Sequence, residues 1–208
     1  MLFNIAFSQQ LFSVATDVGV QRNFKKEQKY WAIGHTTQLQ FNLTPKDGVY
    51  VTFAYYYPSS FRNELTATAK DISTTPQQIS YTNRSKMRPK QLSIGYKKYL
   101  KGTADEETNW SIYAFGGFGV LMGRIDNTHS VAIDTALYNV PVRAGKANFK
   151  RLTVDLGAGW EIPVGGDFYF YTEAKVWIPT TDYPSKYIFA NRNAPFTAML
   201  GIGLRLLF

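Results

Sequence analysis

The chain has 208 residues, a formal net charge of +8, 16% aromatic residues and 18% charged residues. This composition excludes a disordered chain, because there is ample apolar surface to bury. The absence of cysteine excludes disulfides, cysteine-ligated metals and thiol chemistry. No run of about 18 apolar residues exists to form a transmembrane helix.

Met1–Phe7 is apolar apart from Asn4, and Ala6-Phe7-Ser8 followed by Gln9 resembles a signal-peptidase site. Residues 1–8 therefore read as the tail of a signal peptide, and residues 9–208 as one domain. From Phe12 onward the dominant pattern has period two. Phe12, Val14, Val18 and Val20 oppose Ser13, Asp17 and Gly19; Ile33, Thr37, Leu39 and Phe41 oppose Gly34, Thr36, Gln38 and Gln40. Val49, Val51, Phe53 and Tyr55 oppose Tyr50, Thr52 and Ala54, and Leu92, Ile94 and Tyr96 oppose Gln91, Ser93 and Lys97. Residues 110–121 alternate least cleanly, with Phe115 and Phe118 on opposite faces. Leu152, Val154, Leu156, Trp160 and Ile162 oppose Thr153, Asp155 and Glu161. Phe168, Phe170, Ala174 and Val176 oppose Tyr169, Tyr171, Glu173 and Lys175, and the alternation returns from Phe196 to Phe208.

These segments make eight strands, each near or above the length that crosses a bilayer with tilt. The connections alternate in length. Thr44–Asp47, Lys101–Asn109 and Pro163–Gly166 are short, whereas Arg22–Trp31, Pro58–Pro89, Met122–Ala147 and Pro179–Ala194 are longer. The fold class is therefore all-β: an eight-stranded antiparallel up-and-down transmembrane barrel, with short periplasmic turns, periplasmic termini and long extracellular loops. The same alternation could build a soluble lipocalin-like barrel with its apolar face inside. Three features favour the opposite orientation. Glycines collect on the polar face, aromatics such as Tyr30, Trp31, Tyr57, Trp110, Phe168 and Phe208 collect at strand ends, and the last residue is aromatic.

With the apolar face outward, the inward charges are Asp17, Lys97, Arg151, Asp155, Glu161, Glu173, Lys175 and Arg205. Four acids and four bases can neutralise one another, as burial demands. The interior of an eight-stranded barrel is just filled by side chains, so a plugged polar core without a diffusion pore is expected. Glu173, Lys175 and Arg205, on adjacent strands, are expected to cluster. The long loops carry the basic excess, including Lys25, Lys26, Lys29, Arg84, Lys86, Arg88, Arg143 and Lys146. Such residues suit the phosphates of lipopolysaccharide. Apolar Phe61, Ile72, Ile79, Val131, Ile133, Leu137 and Val140 within the loops point to docking of another outer-membrane protein or a surface lipoprotein.

The final strand, Gly203-Leu204-Arg205-Leu206-Leu207-Phe208, resembles the C-terminal assembly signal of bacterial outer-membrane proteins, carried by Gly203, Leu206 and Phe208. The resemblance implies that the barrel-assembly machinery reads it by strand pairing. The chain from Leu11 to Phe208 is similar to the small eight-stranded barrels of the OmpA/OmpX and PorT-like type. Ala-Phe-Ser-Gln-Gln near the start and the many tyrosines and lysines resemble those of Bacteroidota. The resemblance concerns architecture and localisation, and leaves the role open. An accessory role in secretion or assembly complexes is implied by similar proteins.

No catalytic, phosphate-binding or metal motif is recognisable, and no cofactor is expected. A lipid A deacylase is the enzymatic alternative, but His129-Ser130 reads as a loop and His35-Thr36-Thr37 lacks a His-x-Ser strand motif. A small solute or ion channel is a further alternative. Nucleic acid is not an expected partner, since the basic residues are dispersed over four loops.

Overall fold

The computed structural model describes residues 12–181, 186–188 and 197–208. The signal-peptide segment expected over residues 1–8 lies outside the described residues. The strands are β1 (Phe12–Asn23), β2 (Trp31–Asn42), β3 (Asp47–Tyr56), β4 (Ser59–Ala69), β5 (Gln78–Lys101), β6 (Ser111–His129), β7 (Tyr138–Asn139), β8 (Gly145–Gly165), β9 (Phe168–Pro179) and β10 (Thr197–Leu207). Eight of them close a ring in the order β1-β2-β3-β5-β6-β8-β9-β10, and every neighbouring pair is antiparallel. Closure removes the open edges that hydrocarbon cannot satisfy. The seam joins β10 to β1 from Ser13↔Leu207 to Asn23↔Thr197. Beyond it the Phe208 N–H donates to the Phe12 carbonyl at 2.9 Å, and the two rings stack at 4.8 Å.

Strict alternation sorts the side chains into two environments. Val18, Ile33, Leu39, Leu92, Ile94, Phe118, Leu152, Leu200 and Ile202 are exposed around the wall. Phe118 is 71% exposed and Ile94 62%. A water-soluble barrel has no reason to present a continuous apolar belt of this kind, whereas a bilayer requires one. Close packing inside uses glycine where a neighbouring ring needs the space. A Cβ on Gly159 would lie 2.3 Å from the Tyr113 ring, and one on Gly123 would lie 2.0 Å from that of Phe149.

The long connections differ from the sequence expectation. Most of Pro58–Pro89 and half of Met122–Ala147 are strand rather than loop. β5, β6 and β8 run 24, 19 and 21 residues, about twice what a bilayer crossing needs. Their distal halves continue outward as a sheet. β4 follows β3 after a break at Tyr57-Pro58, where proline offers no N–H to a ladder, and it pairs with β5 from Ser59↔Met87 to Thr68↔Gln78. β7 adds two residues to β4's other edge. The apolar residues expected to dock a partner are partly consumed by this sheet. Ile79, Ile133 and Val140 pack around buried Ala67, Tyr81 and Tyr138 as a second small core.

At the periplasmic end the β5–β6 connection folds back beneath the barrel. Gly102, at φ +73°, makes the turn, and the Ala104 N–H donates to the Pro45 carbonyl at 2.7 Å. Ala104 is buried under the barrel floor as a result.

Candidate functional site: a sealed ionic interior and a basic outer face

Asp17, Lys97, Arg151, Asp155, Glu161, Glu173, Lys175 and Arg205 are the buried charged residues among the described residues. They divide into separate groups. Lys175 sits between two acids, 3.3 Å from Asp17 and 3.4 Å from Glu173. The Tyr113 hydroxyl donates to Glu173 at 2.9 Å, and the Tyr171 hydroxyl donates to Asp17 at 3.3 Å. Asp155 accepts from Gln91 Nε2 at 2.7 Å and from the Thr153 hydroxyl at 2.8 Å. Lys97 places its ammonium 3.5 Å from the centre of the Tyr113 ring. Arg151 lies with its guanidinium 5.8 Å from the Phe149 ring centre.

Arg205 does not join Glu173 and Lys175, contrary to the expected cluster. Its Nη2 and Nε meet the two Glu161 oxygens at 2.8 and 3.2 Å, and Nη2 also donates to the Ala104 carbonyl at 2.7 Å. The register explains this. Glu173 faces Gly201 on β10, four residues from Arg205, while Arg205 faces Tyr169 and covers its ring at 4.1 Å. Arg205 therefore reaches past β9 to β8 and fastens the β5–β6 connection below it.

Contrary to the expectation of a polar core, the interior is not polar throughout. Its extracellular third is an apolar plug that includes Tyr30, Tyr56, Met87, Leu121, Phe149 and Trp177. Tyr30 belongs to this plug and not to an interfacial belt; its ring stacks on Phe61 at 6.0 Å.

The predicted basic residues occupy two places. Lys25, Lys26 and Lys29 surround a short 3-10 turn at Lys26–Gln28, with Lys25 3.8 Å from Glu27. Arg84, Lys86 and Arg88 lie on β5, not in a loop, and point outward with Lys146 of β8. Arg143 is half-buried in the β7–β8 connection, its N–H donating to the Lys186 carbonyl. Arg62 and Arg124 count among the basic residues of the long connections in the sequence, but their cross-strand pairing is not visible there. Arg62 stands directly opposite Arg84, and Arg124 directly opposite Arg88. The alternation Arg84-x-Lys86-x-Arg88-x-Lys90 was the available signal, because period two marks a strand face. Asp126, opposite Lys86, is 3.8 Å from Lys146. Glu64 accepts from the Thr82 hydroxyl at 2.9 Å.

Among the described residues, neither histidine is hydrogen-bonded to a carboxylate or a hydroxyl. His35 faces outward 5.7 Å from the Tyr55 ring. His129 is the last residue of β6 rather than part of a loop; it packs 4.5 Å from the Tyr81 ring, while the Ser130 hydroxyl accepts from the Thr82 N–H. The two neighbours turn to opposite faces of the sheet. No group of three or more metal-ligating side chains occurs among the described residues. Gly203, Leu206 and Phe208 lie at the seam, with Leu206 and Phe208 outward, and a Cβ on Gly203 would fall 2.1 Å from the Thr16 carbonyl.

No family model matches the chain, and no curated protein matches it in sequence. Solved structures do. Neisserial surface protein A aligns with 95% of this chain and 97% of its own at 8% identity, with a TM-score of 0.60. Ail, the attachment invasion locus protein of Yersinia pestis, solved with the heparin analogue sucrose octasulfate, aligns with 95% of this chain and 97% of its own at 11% identity, TM-score 0.51. The fold is that of the small bacterial outer-membrane β-barrels. With the apolar belt around its wall, the chain is an integral outer-membrane protein whose termini face the periplasm and whose long sheet faces outward.

Proposed function

We propose that this barrel is a non-enzymatic interaction protein of the cell surface, an accessory subunit of an envelope complex of the secretion or assembly type. It contacts lipopolysaccharide and neighbouring outer-membrane proteins or surface lipoproteins through its basic extracellular side. The observation that carries the reading is the outward face of β4, β5, β6 and β8, where arginines and lysines crowd just above the apolar belt. Guanidinium and ammonium groups pair with phosphate as charge-assisted donors. Ail, of like fold, binds a polysulfated sugar in its crystal structure, which is in keeping with an anionic ligand here. The sealed interior supports a role played on the outside rather than through the lumen. Gly203, Leu206 and Phe208 serve biogenesis in this reading, as the strand presented to the barrel-assembly machinery.

The test is binding of purified rough lipopolysaccharide to the folded barrel in non-ionic micelles. Affinity is expected to fall steeply between low and physiological salt, because exposed charges are screened within roughly 10 Å at 0.1 M. Absence of binding at low salt rejects the lipid contact. Cross-linking in native outer membranes addresses the subunit role, and recovery of the free monomer alone rejects it.

A further inference from the structure

Resting on the reading that this face meets lipopolysaccharide, we propose that its two cross-strand arginine pairs form a two-step anion ladder for one phosphorylated glycolipid molecule. Arg88 and Arg124 take a phosphate at headgroup depth. Arg62 and Arg84 take a phosphate of the sugars above it.

As they stand, the pairs are unfavourable. Residues directly opposite on antiparallel strands have Cβ atoms about 5 Å apart, and like charges there repel. The register puts Arg62 against Arg84 and Arg88 against Arg124, all four exposed on the same face. None of the four has an ion-pair partner among the described residues; of the nearby acids, Asp126 lies 3.8 Å from Lys146 and Glu64 accepts from the Thr82 hydroxyl. Two guanidinium groups side by side offer many converging N–H donors, the geometry that tetrahedral oxyanions accept. An open groove of about 580 Å³ lies against Arg62, Arg84 and Lys86, with Asp126 as the one acid on its lining.

Depth supports the same assignment. Below Arg88 on the same face of β5 come Lys90 and then Leu92, which begins the apolar belt beside Phe53 and Val120. Lys90 lies 5.4 Å from the centre of the Tyr55 ring, an arrangement typical of the interface. Arg88 stands four residues above Leu92, about 13 Å along the strand and less along the membrane normal because the strands tilt. That is the level of lipid phosphate. Arg84 is four residues further, again about 13 Å, which is the level of the inner sugars. A free polyanion has no need of this alignment with the belt, so the lipid-borne ligand is the one the geometry favours.

The experiment uses the full folded barrel in micelles with two probes: deep-rough lipopolysaccharide carrying only lipid A and its first acidic sugars, and rough lipopolysaccharide with phosphorylated heptoses. The double variant R88Q/R124Q is expected to bind both probes roughly tenfold or more weakly, the scale of one or two lost charge-assisted contacts. R62Q/R84Q is expected to weaken only the heptose-phosphate probe. Equal weakening of both probes by R62Q/R84Q, or no effect of either double variant, overturns the ladder while leaving the lipid reading intact. Failure of the unaltered barrel to bind either probe removes the underlying reading instead. Tighter binding of soluble heparin oligosaccharide than of either lipid, lost in both variants, overturns the lipid source.

Discussion

Arg205 and Glu161 meet through two parallel contacts, Nη2 to Oε1 at 2.8 Å and Nε to Oε2 at 3.2 Å, with both side chains 1% exposed. The pair joins β10 to β8 past the intervening β9, and the same guanidinium holds the Ala104 carbonyl. Removing one member leaves a buried charge unanswered, which costs about 3–5 kcal/mol, whereas replacing both by apolar groups of similar volume is often nearly neutral. Glu161→Ala is therefore expected to lower the unfolding free energy by that order in guanidinium titrations followed by tryptophan fluorescence in micelles. The double variant with Glu161→Leu and Arg205→Met is expected to recover most of the loss. A double variant no more stable than Glu161→Ala contradicts the account.

The barrel is expected not to conduct. Its periplasmic end is closed by the Arg205–Glu161 pair over Ala104, and its extracellular end by the plug of Tyr56, Met87, Leu121, Phe149 and Trp177. Two inner cavities, beside Gln21 and beside Glu173, measure about 40 and 20 Å³, room for only a few waters each. Planar-bilayer recordings should give no stepwise current. Well-defined steps that persist in the purified protein contradict a filled lumen.

What the sequence made legible follows from parity. On β1, β9 and β10 the apolar set is continuous, so counting by two placed Asp17, Glu173, Lys175 and Arg205 inward without any knowledge of pairing. Partner choice was not legible, because Arg205 finds Glu161 two strands away and not on a neighbouring strand. The distal halves of β5, β6 and β8 were misread for a different reason. Outside the bilayer their outward face carries Arg84, Lys86, Arg124 and Lys146, so no apolar set alternates against a polar one, and Pro89, inside β5, imitates the loop punctuation that Pro58, Pro76 and Pro141 truly supply. The apolar plug was hidden because Met87, Leu121, Phe149 and Trp177 occupy the parity that lower in the barrel belongs to ions.

The outer sheet is expected to loosen in acid. Burial against Tyr81 penalises the charged His129 ring and holds its pKa below the ordinary 6.5. The unfolded chain then binds its proton first, so this contribution is fully present above about pH 6.5 and is lost as pH falls through the folded value. Protection factors of the Tyr81 and Asn83 amides, corrected for intrinsic exchange, should be lower at pH 5 than at pH 7.5. In His129→Phe the His129-linked part of that difference should disappear. Equal protection at both pH values in the unaltered chain contradicts the assignment.

Arg62 and Arg84 separate a binding role from a structural one. If the pair existed to hold β4 to β5, neutralising one member should destabilise the sheet. Repulsion between like charges directly across an antiparallel ladder predicts the reverse. In the absence of ligand, Arg62→Gln and Arg84→Gln are each expected to leave the unfolding midpoint unchanged or raise it, and the benefit should shrink as salt screens the repulsion. Raising the salt from low to about 1 M should thus bring the unaltered chain closer to its variants. The stabilising substitution is at the same time the one expected to weaken binding of heptose-phosphorylated lipopolysaccharide, and that opposition is what the measurement looks for. A clear fall in midpoint for either single variant at low salt means that the arginines support the sheet, and the repulsion on which the ladder rests is then absent.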